Sequence, residues 1–224
     1  VFEFGSLRNH DHKLVQPGFN ANNLLEFKTA YKNIYQTTVS PSLADNSTYR
    51  VIPLPYEAPT FMPGASTTWH ALRSNPWTAA AANASTLKWH STNASGTDYN
   101  YTRGNNVWAY EDPLAANSGS VARSATSSTA LPNLTFDFTP DYTLEPTVIT
   151  PSPNKQFNIT NLFYWNNIIH DVLYNYGFDE VGGNFQTNNL GRGGSGNDHV
   201  LAEAQDEAGL AATSTNRNNA NFST

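Results

Sequence analysis

The side chains in this sequence that could support acid–base or metal chemistry are six histidines and 18 acidic residues. His10 and His12 alternate in an HDH string, so on a strand both would face the same side, as two metal ligands must. No third ligand stands near them, and we interpret them as part of an exposed polar segment. His170 precedes Asp171, a pairing that can act as a general base. Neither a nucleophile nor a second metal ligand lies one helical turn away, which favours a structural, hydrogen-bonded histidine.

Acidic residues recur near the end of the sequence, at Asp198, Glu203, Asp206 and Glu207. Their oxygen atoms are the ligands that Ca²⁺ prefers, but their spacing matches no helix–loop–helix calcium motif. The sequence is therefore compatible with calcium as a cofactor, but it identifies no calcium ligands. The glycine-rich string at 191–196 lacks the lysine and the serine or threonine of a phosphate-binding loop, so it predicts tight turns.

The overall composition argues against several classes of function. The net charge is −6 with only 12 basic residues and no basic run, which argues against nucleic-acid partners. No apolar stretch approaches the roughly 20 residues of a membrane span. The sequence has no cysteine, so it offers neither disulfides nor thiol catalysis. Five tryptophans would suit a carbohydrate-binding surface, but Trp165 lies on an apolar stripe that indicates a core position, and we rank this class low.

The clearest predicted element is a long helix over residues 161–176. Its apolar side chains recur every three or four residues and form one stripe of Leu162, Trp165, Ile169, Val172 and Tyr176. This stripe is widened by Phe163, Ile168 and Leu173. Thr160 is the predicted N-cap, and Gly177 is the predicted left-handed residue at the C-terminal end. Because the stripe is wide, we expect it to pack in the core.

The remaining predicted elements are shorter. A second amphipathic helix is predicted over 22–37, and 49–60 is predicted to be extended. A long surface loop is predicted over 113–132. The candidate strands are Thr86–Trp89, Val107–Tyr110, Leu134–Phe138, Thr147–Ile149 and His199–Ala204.

Five strings are distinctive enough to compare with known families: YRVIPLPYEAPT at 49–60, TRGNNVWAYED at 102–112, NLFYWNNIIHDVLYNYGF at 161–178, GGNFQTNNLGRGGSGNDHVLAEAQD at 182–206 and NNANFST at 218–224. In their order and spacing they resemble the fungalysin family of secreted zinc metallopeptidases, which are related to thermolysin. The resemblance covers about residues 49–224. It implies a secreted, extracellular protein that acts on protein or peptide substrates and whose parent enzyme uses zinc.

The resemblance also implies a fold and a substrate-binding edge. The implied fold is α+β, a thermolysin-like N-terminal subdomain with a twisted, mostly antiparallel sheet and the helix near 161–176 packed on it. In this fold His170 is expected to be structural and not a zinc ligand. The string NNANF at 218–222 resembles an edge strand in which Asn219 and Ala220 hydrogen-bond the substrate backbone.

The sequence departs from the family at the zinc site. The family's active site combines an HExxH helix with a more distant glutamate, which together hold zinc and activate the attacking water. No histidine in this sequence is followed by glutamate, so HExxH is absent from it. We therefore expect residues 49–224 to be the N-terminal part of the catalytic domain, truncated before the zinc-binding helix and inactive in isolation. By position, residues 1–48 are expected to be a propeptide-like tail or a linker segment with one helix.

A truncated domain of this kind should leave apolar surface exposed on the 161–176 helix. We expect the remainder of the peptidase domain, or a second chain, to cover that surface. The alternative function is a non-catalytic module on the same fold, which would bind a peptide or a partner chain through the edge at 218–222.

Overall fold

The computed structural model describes residues 46–54, 69–93, 98–141, 154–210 and 222. All of these belong to one compact unit, Ser40–Thr224. Several sequence predictions lie outside the described residues: the polar segment with His10 and His12, the helix at 22–37, residues 55–60 of the extended segment, the strand Thr147–Ile149 and the substrate-binding pair Asn219 and Ala220.

Within the described residues the structure has five strands and one α-helix. The strands are β1 (Asn46–Val51), β2 (Ala71–Ser74), β3 (Val107–Glu111), β4 (Asn133–Phe136) and β5 (Val200–Ala204). The helix is α1 (Lys155–Tyr174), and short 3-10 helices occur at Pro76–Ala79 and Val121–Arg123. The predicted strands that begin at Val107, Leu134 and His199 correspond to β3, β4 and β5. The predicted loop at 113–132 contains the second 3-10 helix and has no strand.

The predicted strand Thr86–Trp89 is wrong, because this segment forms consecutive turns. The backbone N–H of Lys88 donates to the carbonyl of Ser85 at 2.9 Å, and Lys88 itself has a left-handed φ of 56°. Trp89 is fully buried all the same. The sequence of this segment has the apolar spacing of a strand because it supplies a buried side chain, although its backbone turns.

The described strands form two small sheets. In the first, which is mixed, the order is β2–β1–β4, with β1 antiparallel to β2 and parallel to β4. In the second, β3 and β5 are parallel, with Tyr110 opposite Glu203. The α+β class is confirmed, but two of the three described strand pairings are parallel, so these sheets are not mostly antiparallel. Parallel neighbours need a long connection, and the chain between β3 and β5, which includes α1, supplies one.

Helix α1 begins six residues before the predicted start, with Asn154 as its N-cap. The Asn154 side chain accepts from the Asp141 N–H at 2.7 Å and donates to the Asp141 carbonyl at 2.6 Å, which ties the helix start to the preceding segment. Thr160, the predicted N-cap, is a buried residue inside the helix. Gly177 follows the helix with φ 93°, as predicted, and the Phe178 N–H closes the end by donating to the Leu173 carbonyl at 3.1 Å. None of the described helices combines the length and apolar character of a bilayer span.

The buried face of α1 is rotated from the predicted stripe. Its buried residues are Phe157, Ile159, Thr160, Phe163, Tyr164, Asn167, His170 and Asp171. Ile169 and Val172, both on the predicted stripe, are 52% and 50% exposed, and Tyr176 is 85% exposed. The prediction holds for Leu162 and Trp165, which are partly buried and pack against the core. It fails for Ile169 and Val172, because the inner face includes hydrogen-bonded polar side chains, so apolar spacing alone misplaces the face. The exposure of Ile169 and Val172 agrees with the expectation that part of the helix's apolar surface is left uncovered.

The core between α1 and the β1–β4 pair is built from stacked rings. The Tyr49 ring lies parallel to the Phe136 ring with centroids 5.4 Å apart, and His90 stacks on Phe136 at 5.1 Å and on Phe163 at 5.0 Å. The Trp89 ring meets the Phe163 ring edge-on at 6.3 Å. Since all five side chains are essentially excluded from solvent, this cluster fixes α1 against β1 and β4.

Candidate functional site

The inner face of α1 carries a buried polar network around Asp171. Its Oδ2 accepts the Ser85 hydroxyl at 2.7 Å and the Trp89 indole N–H at 3.0 Å. Its Oδ1 lies 3.1 Å from His170 Nδ1, and the other ring nitrogen of His170 is 3.4 Å from the Asn184 side-chain amide. The carboxylate therefore joins α1 to the 82–90 turns and, through His170, to the loop that follows the helix.

The order of groups in this network is not that of a nucleophilic triad. In a triad the histidine lies between the nucleophile and the carboxylate, so that it can take the hydroxyl proton. Here Asp171 lies between Ser85 and His170, and the Ser85 hydroxyl donates directly to the carboxylate. The geometry agrees with a structural His170, because its hydrogen-bond partners among the described residues are Asp171 and Asn184, neither of which is a hydroxyl or thiol nucleophile.

Three carboxylates meet where β3 and β5 end. Oxygen atoms of Asp112, Glu203 and Asp206 all lie within 4.8 Å of one another. The parallel pairing of the strands explains their proximity, since the Asp112 N–H donates to the Ala204 carbonyl at 3.0 Å. The sequence pointed to Glu203 and Asp206 but missed Asp112, because the pairing of two strands so distant in sequence is not visible in a local pattern.

In the carboxylate cluster of Asp112, Glu203 and Asp206, two of the carboxylates already accept hydrogen bonds. Arg123 forms an ion pair with Asp112 at 2.6 Å, and the Asn117 N–H donates to the other Asp112 oxygen at 2.6 Å. The Tyr110 hydroxyl donates to Glu203 at 2.7 Å. Burial, followed by this hydrogen bond, raises the pKa of Tyr110, so the hydroxyl keeps its proton. By contrast, Asp206 Oδ1 is buried and accepts no hydrogen bond from the residues that the structure describes.

The cluster suits a hard cation better than zinc. Three carboxylates against one guanidinium leave an excess of negative charge, and all candidate ligands are oxygens, as Ca²⁺ prefers. A catalytic zinc site usually includes imidazole ligands. Within the part of the chain that the structure describes, this cluster is the only group of three or more potential metal ligands, and it contains no histidine.

The other described histidines are dispersed. The ring nitrogens of His90 bind the Tyr49 hydroxyl at 2.7 Å and the Tyr101 carbonyl at 3.0 Å, and burial lowers the pKa of His90 to about 4. Burial and then the Arg50 guanidinium lower the pKa of His70. Burial likewise lowers the pKa of His199. Each is therefore biased towards the neutral form by its own environment, and none shares a ligand group with another.

The structure describes one residue of the predicted substrate-binding edge. Phe222 is 70% exposed, and its ring centroid lies 6.2 Å from that of Phe185. Phe185 in turn meets Phe178 at 5.6 Å. These contacts connect residue 222 to the segment that follows α1, while Asn219 and Ala220 remain sequence predictions.

Comparison with known proteins identifies the family. A model of the fungalysin metallopeptidases, family M36, matches residues 48–224. "Extracellular metalloproteinase 3" of Trichophyton tonsurans is 41% identical over 150 residues, which are 67% of this chain and 20% of that protein. The protein of the same name from Trichophyton soudanense is also 41% identical over 150 residues, which are 33% of its length. The chain thus spans between a fifth and a third of these curated relatives. The match over most of the chain shows that it belongs to the fungalysin family of metallopeptidases.

Proposed function

We propose that this chain is the N-terminal part of the catalytic domain of a secreted zinc endopeptidase that hydrolyses peptide bonds in proteins. The family match over residues 48–224 carries the proposal. Relatives named extracellular metalloproteinases support both the reaction and the location outside the cell. In the proposed protein, the residues before the match form a propeptide-like tail or a linker.

The zinc of the proposed enzyme is held by residues outside this sequence. The residues present do not fit a catalytic zinc: the described histidines are dispersed, and the carboxylate cluster has no imidazole. The sequence contains no HExxH, and the alignments cover only a fraction of the relatives' length. The role proposed for this chain is therefore to shape the cleft, and the metal chemistry belongs to the rest of the protein.

One wall of the cleft is the proposed substrate-binding edge. Asn219 and Ala220 would hydrogen-bond an extended peptide, since the free N–H and C=O groups of an edge strand pair readily with another strand. The Phe222–Phe185 contact supports this placement, because it ties the end of the edge to the segment beyond α1.

The exposed apolar residues of α1 support a further part of the proposal. Ile169, Val172 and Leu173 are each at least two-fifths exposed, and Tyr176 is more exposed still. Apolar surface of this kind on a soluble protein marks an interaction site. We propose that the remainder of the peptidase domain packs on this face.

Calcium is a second proposed cofactor. The carboxylate cluster offers an excess of negative charge, and Asp206 Oδ1 is buried with no hydrogen-bond partner among the described residues. Calcium titration should raise the melting temperature of the protein, and Asp206→Asn should abolish most of that rise. Asp137→Asn, on the exposed side of the Arg50 ion pair, is the control that should keep it. An equal response in both variants would place any calcium elsewhere.

Peptide hydrolysis by the full-length protein, compared with this chain alone, tests the main proposal. The full-length protein should bind one zinc, cleave an unfolded protein substrate, lose activity with a zinc chelator and regain it with added zinc. The 224-residue chain should bind no stoichiometric zinc and show no cleavage. Zinc-dependent hydrolysis by this chain alone would refute the assignment of the ligands, and a full-length protein without zinc or activity would refute the enzyme.

The second candidate function is a non-catalytic module that binds a peptide or a partner chain. The same exposed face of α1 favours it, because any partner chain could cover that surface. The two functions differ in one measurement. A full-length protein that captures peptides but has no chelator-sensitive hydrolysis would support the module.

A further inference from the structure

The sequence contains seven Asn-x-Ser/Thr motifs, at Asn46, Asn83, Asn93, Asn100, Asn133, Asn158 and Asn221. Such motifs accept N-linked oligosaccharides in secreted proteins. In a chain so rich in Asn, Ser and Thr, several would arise by chance, so the motifs alone identify no modified residue. The structure separates them by exposure and by what each amide already binds.

Three of the described motif asparagines are exposed enough to be candidates for glycosylation. Asn83, Asn93 and Asn158 are partly buried, whereas Asn46, Asn100 and Asn133 are exposed. An attached sugar needs open space around the side-chain amide, so the exposed set contains the better acceptors.

Hydrogen bonding then separates Asn100 from the other two. Asn46 Nδ2 donates to Asn133 Oδ1 at 2.9 Å across the β1–β4 pair, and Asn46 Oδ1 accepts from Asn75 at 3.1 Å. A sugar on either amide would crowd this chain of hydrogen bonds. The Asn100 side chain makes no hydrogen bond to the described residues around it, so a sugar there breaks no hydrogen bond among them.

The backbone around Asn100 presents the side chain at the surface. The Asn100 carbonyl accepts the Ser127 N–H at 2.8 Å, and the preceding Tyr99 N–H donates to the His90 carbonyl at 2.9 Å. The Tyr99 and Tyr101 rings meet at 5.3 Å, which places both on the same side of the segment. Asn100 is thus an exposed residue on a segment that backbone hydrogen bonds hold in place.

The threonine of the motif has a structural role after folding. Thr102 is fully buried, its hydroxyl donates to the Ala109 carbonyl at 2.7 Å, and it accepts the Ala125 N–H at 3.1 Å. A glycosyl-transferring enzyme must reach this hydroxyl together with the asparagine. Attachment at Asn100 is therefore compatible only with a chain in which Thr102 has not yet packed.

We propose that Asn100 carries an N-linked oligosaccharide, attached before Thr102 becomes buried. In this transfer the Asn100 Nδ2 loses a proton and bonds to the anomeric carbon of a lipid-linked oligosaccharide, while the bond from that carbon to the lipid diphosphate breaks and the lipid diphosphate leaves. This inference rests on the secretion that the proposed function includes. Tryptic peptides of the full-length protein, secreted from a yeast host, test it. Release of the sugar by a glycosidase that converts the modified asparagine to aspartate should mark Asn100. Asn100→Gln should remove one glycan-sized step in gel mobility, and Asn158→Gln, on α1, should remove none.

The outcomes separate this inference from the proposed function. A secreted, zinc-dependent peptidase with unmodified Asn100 overturns the inference and leaves the function intact. A modified Asn100 in a full-length protein without peptidase activity supports the inference and contradicts the function.

A second experiment tests the timing. Folded, unmodified full-length protein from a bacterial host should not be modified at Asn100 by purified oligosaccharyl transferase, whereas a peptide spanning 98–104 should be. Equal modification of both overturns the claim that folding of Thr102 closes the site.

Discussion

His90 stands in the buried aromatic cluster as a neutral residue. A carbonyl can only accept, so Nδ1 carries the proton that is donated to Tyr101, and Nε2 accepts from the Tyr49 hydroxyl. Burial raises the pKa of Tyr49, which keeps this hydroxyl a donor. A protonated His90 would bring a charge between the rings of Phe136 and Phe163.

The pKa of His90 predicts a loss of stability in mild acid. Burial lowers this pKa from its ordinary value of 6.5 to about 4. Between these values the unfolded chain binds a proton that the folded chain does not, so stability falls as the pH falls from 6.5 to about 4. The loss should total about 3 kcal/mol. Urea unfolding at several pH values measures it.

A His90→Gln variant is the control for this pH dependence. Glutamine keeps a donor and an acceptor but does not titrate, so the variant should be less stable near neutrality and lack the His90 share of the slope. Identical slopes in the two proteins would show that the acid sensitivity has another source.

Removing the Asp171 carboxylate should destabilise the protein strongly. Asp171→Ala leaves the Ser85 hydroxyl, the Trp89 N–H and His170 without their acceptor in a buried site. The expected loss is about 3 kcal/mol. Val172→Ala, at the next and half-exposed position, should lose less than about 1 kcal/mol. Chemical denaturation compares the two, and similar losses would contradict a central role for the carboxylate.

Single residues show where sequence reasoning reaches its limit. The structural interpretation of His170 needed only the absence of a partner one turn away. Its partner Asn184 lies on a segment that no local pattern connects to α1, and so does Ser85, which donates to the Asp171 carboxylate. The sequence did not group Asp112 with the cluster for the same reason, since Glu203 lies on β5 and Asp206 just after it, far along the chain.

At the level of elements, Gly177 follows the C-terminal end of α1 in a left-handed conformation. Substitutions at this position should lower stability by different amounts. A Cβ at this position would meet nothing within 4 Å, so any loss on substitution comes from its φ of 93°. Gly177→Ala should lose about 1–2 kcal/mol, and Gly177→Asn should lose less, because asparagine tolerates the left-handed region better. Melting temperatures should follow the order Gly, Asn, Ala. Alanine and asparagine variants of equal stability would contradict this explanation.

The elements also show which patterns can be read from sequence. Strands β3, β4 and β5 were predicted because each is a short apolar segment flanked by turn-forming residues. Helix α1 was predicted because apolar residues recur every three or four positions over a long segment. The face of α1 was misjudged, because hydrogen-bonded polar residues such as Asn167 and Asp171 occupy its inner side. The parallel pairings could not be predicted, since they depend on segments distant in sequence.

At the scale of the whole molecule, the exposed face of α1 separates this chain from the longer protein we propose. Ile169 is 52% exposed here. If the remainder of the domain packs on this face, the same residue is buried in the full-length protein. A charge at that position therefore has different consequences in the two contexts, since a buried, unpaired charge is strongly unfavourable.

Ile169→Glu should therefore barely change the unfolding of this chain, because Ile169 is 52% exposed in it. In the full-length protein the same substitution should lower stability by about 3 kcal/mol and reduce peptidase activity, because it places a charge at a packed interface. Leu114→Glu is the matched control: Leu114 is 65% exposed in the 113–132 loop and should tolerate the charge in both contexts. Thermal unfolding of both variants in both proteins gives the comparison. If Ile169→Glu is as harmless in the full-length protein as in this chain, the remainder of the domain does not cover α1, and the proposed arrangement of the two parts is wrong.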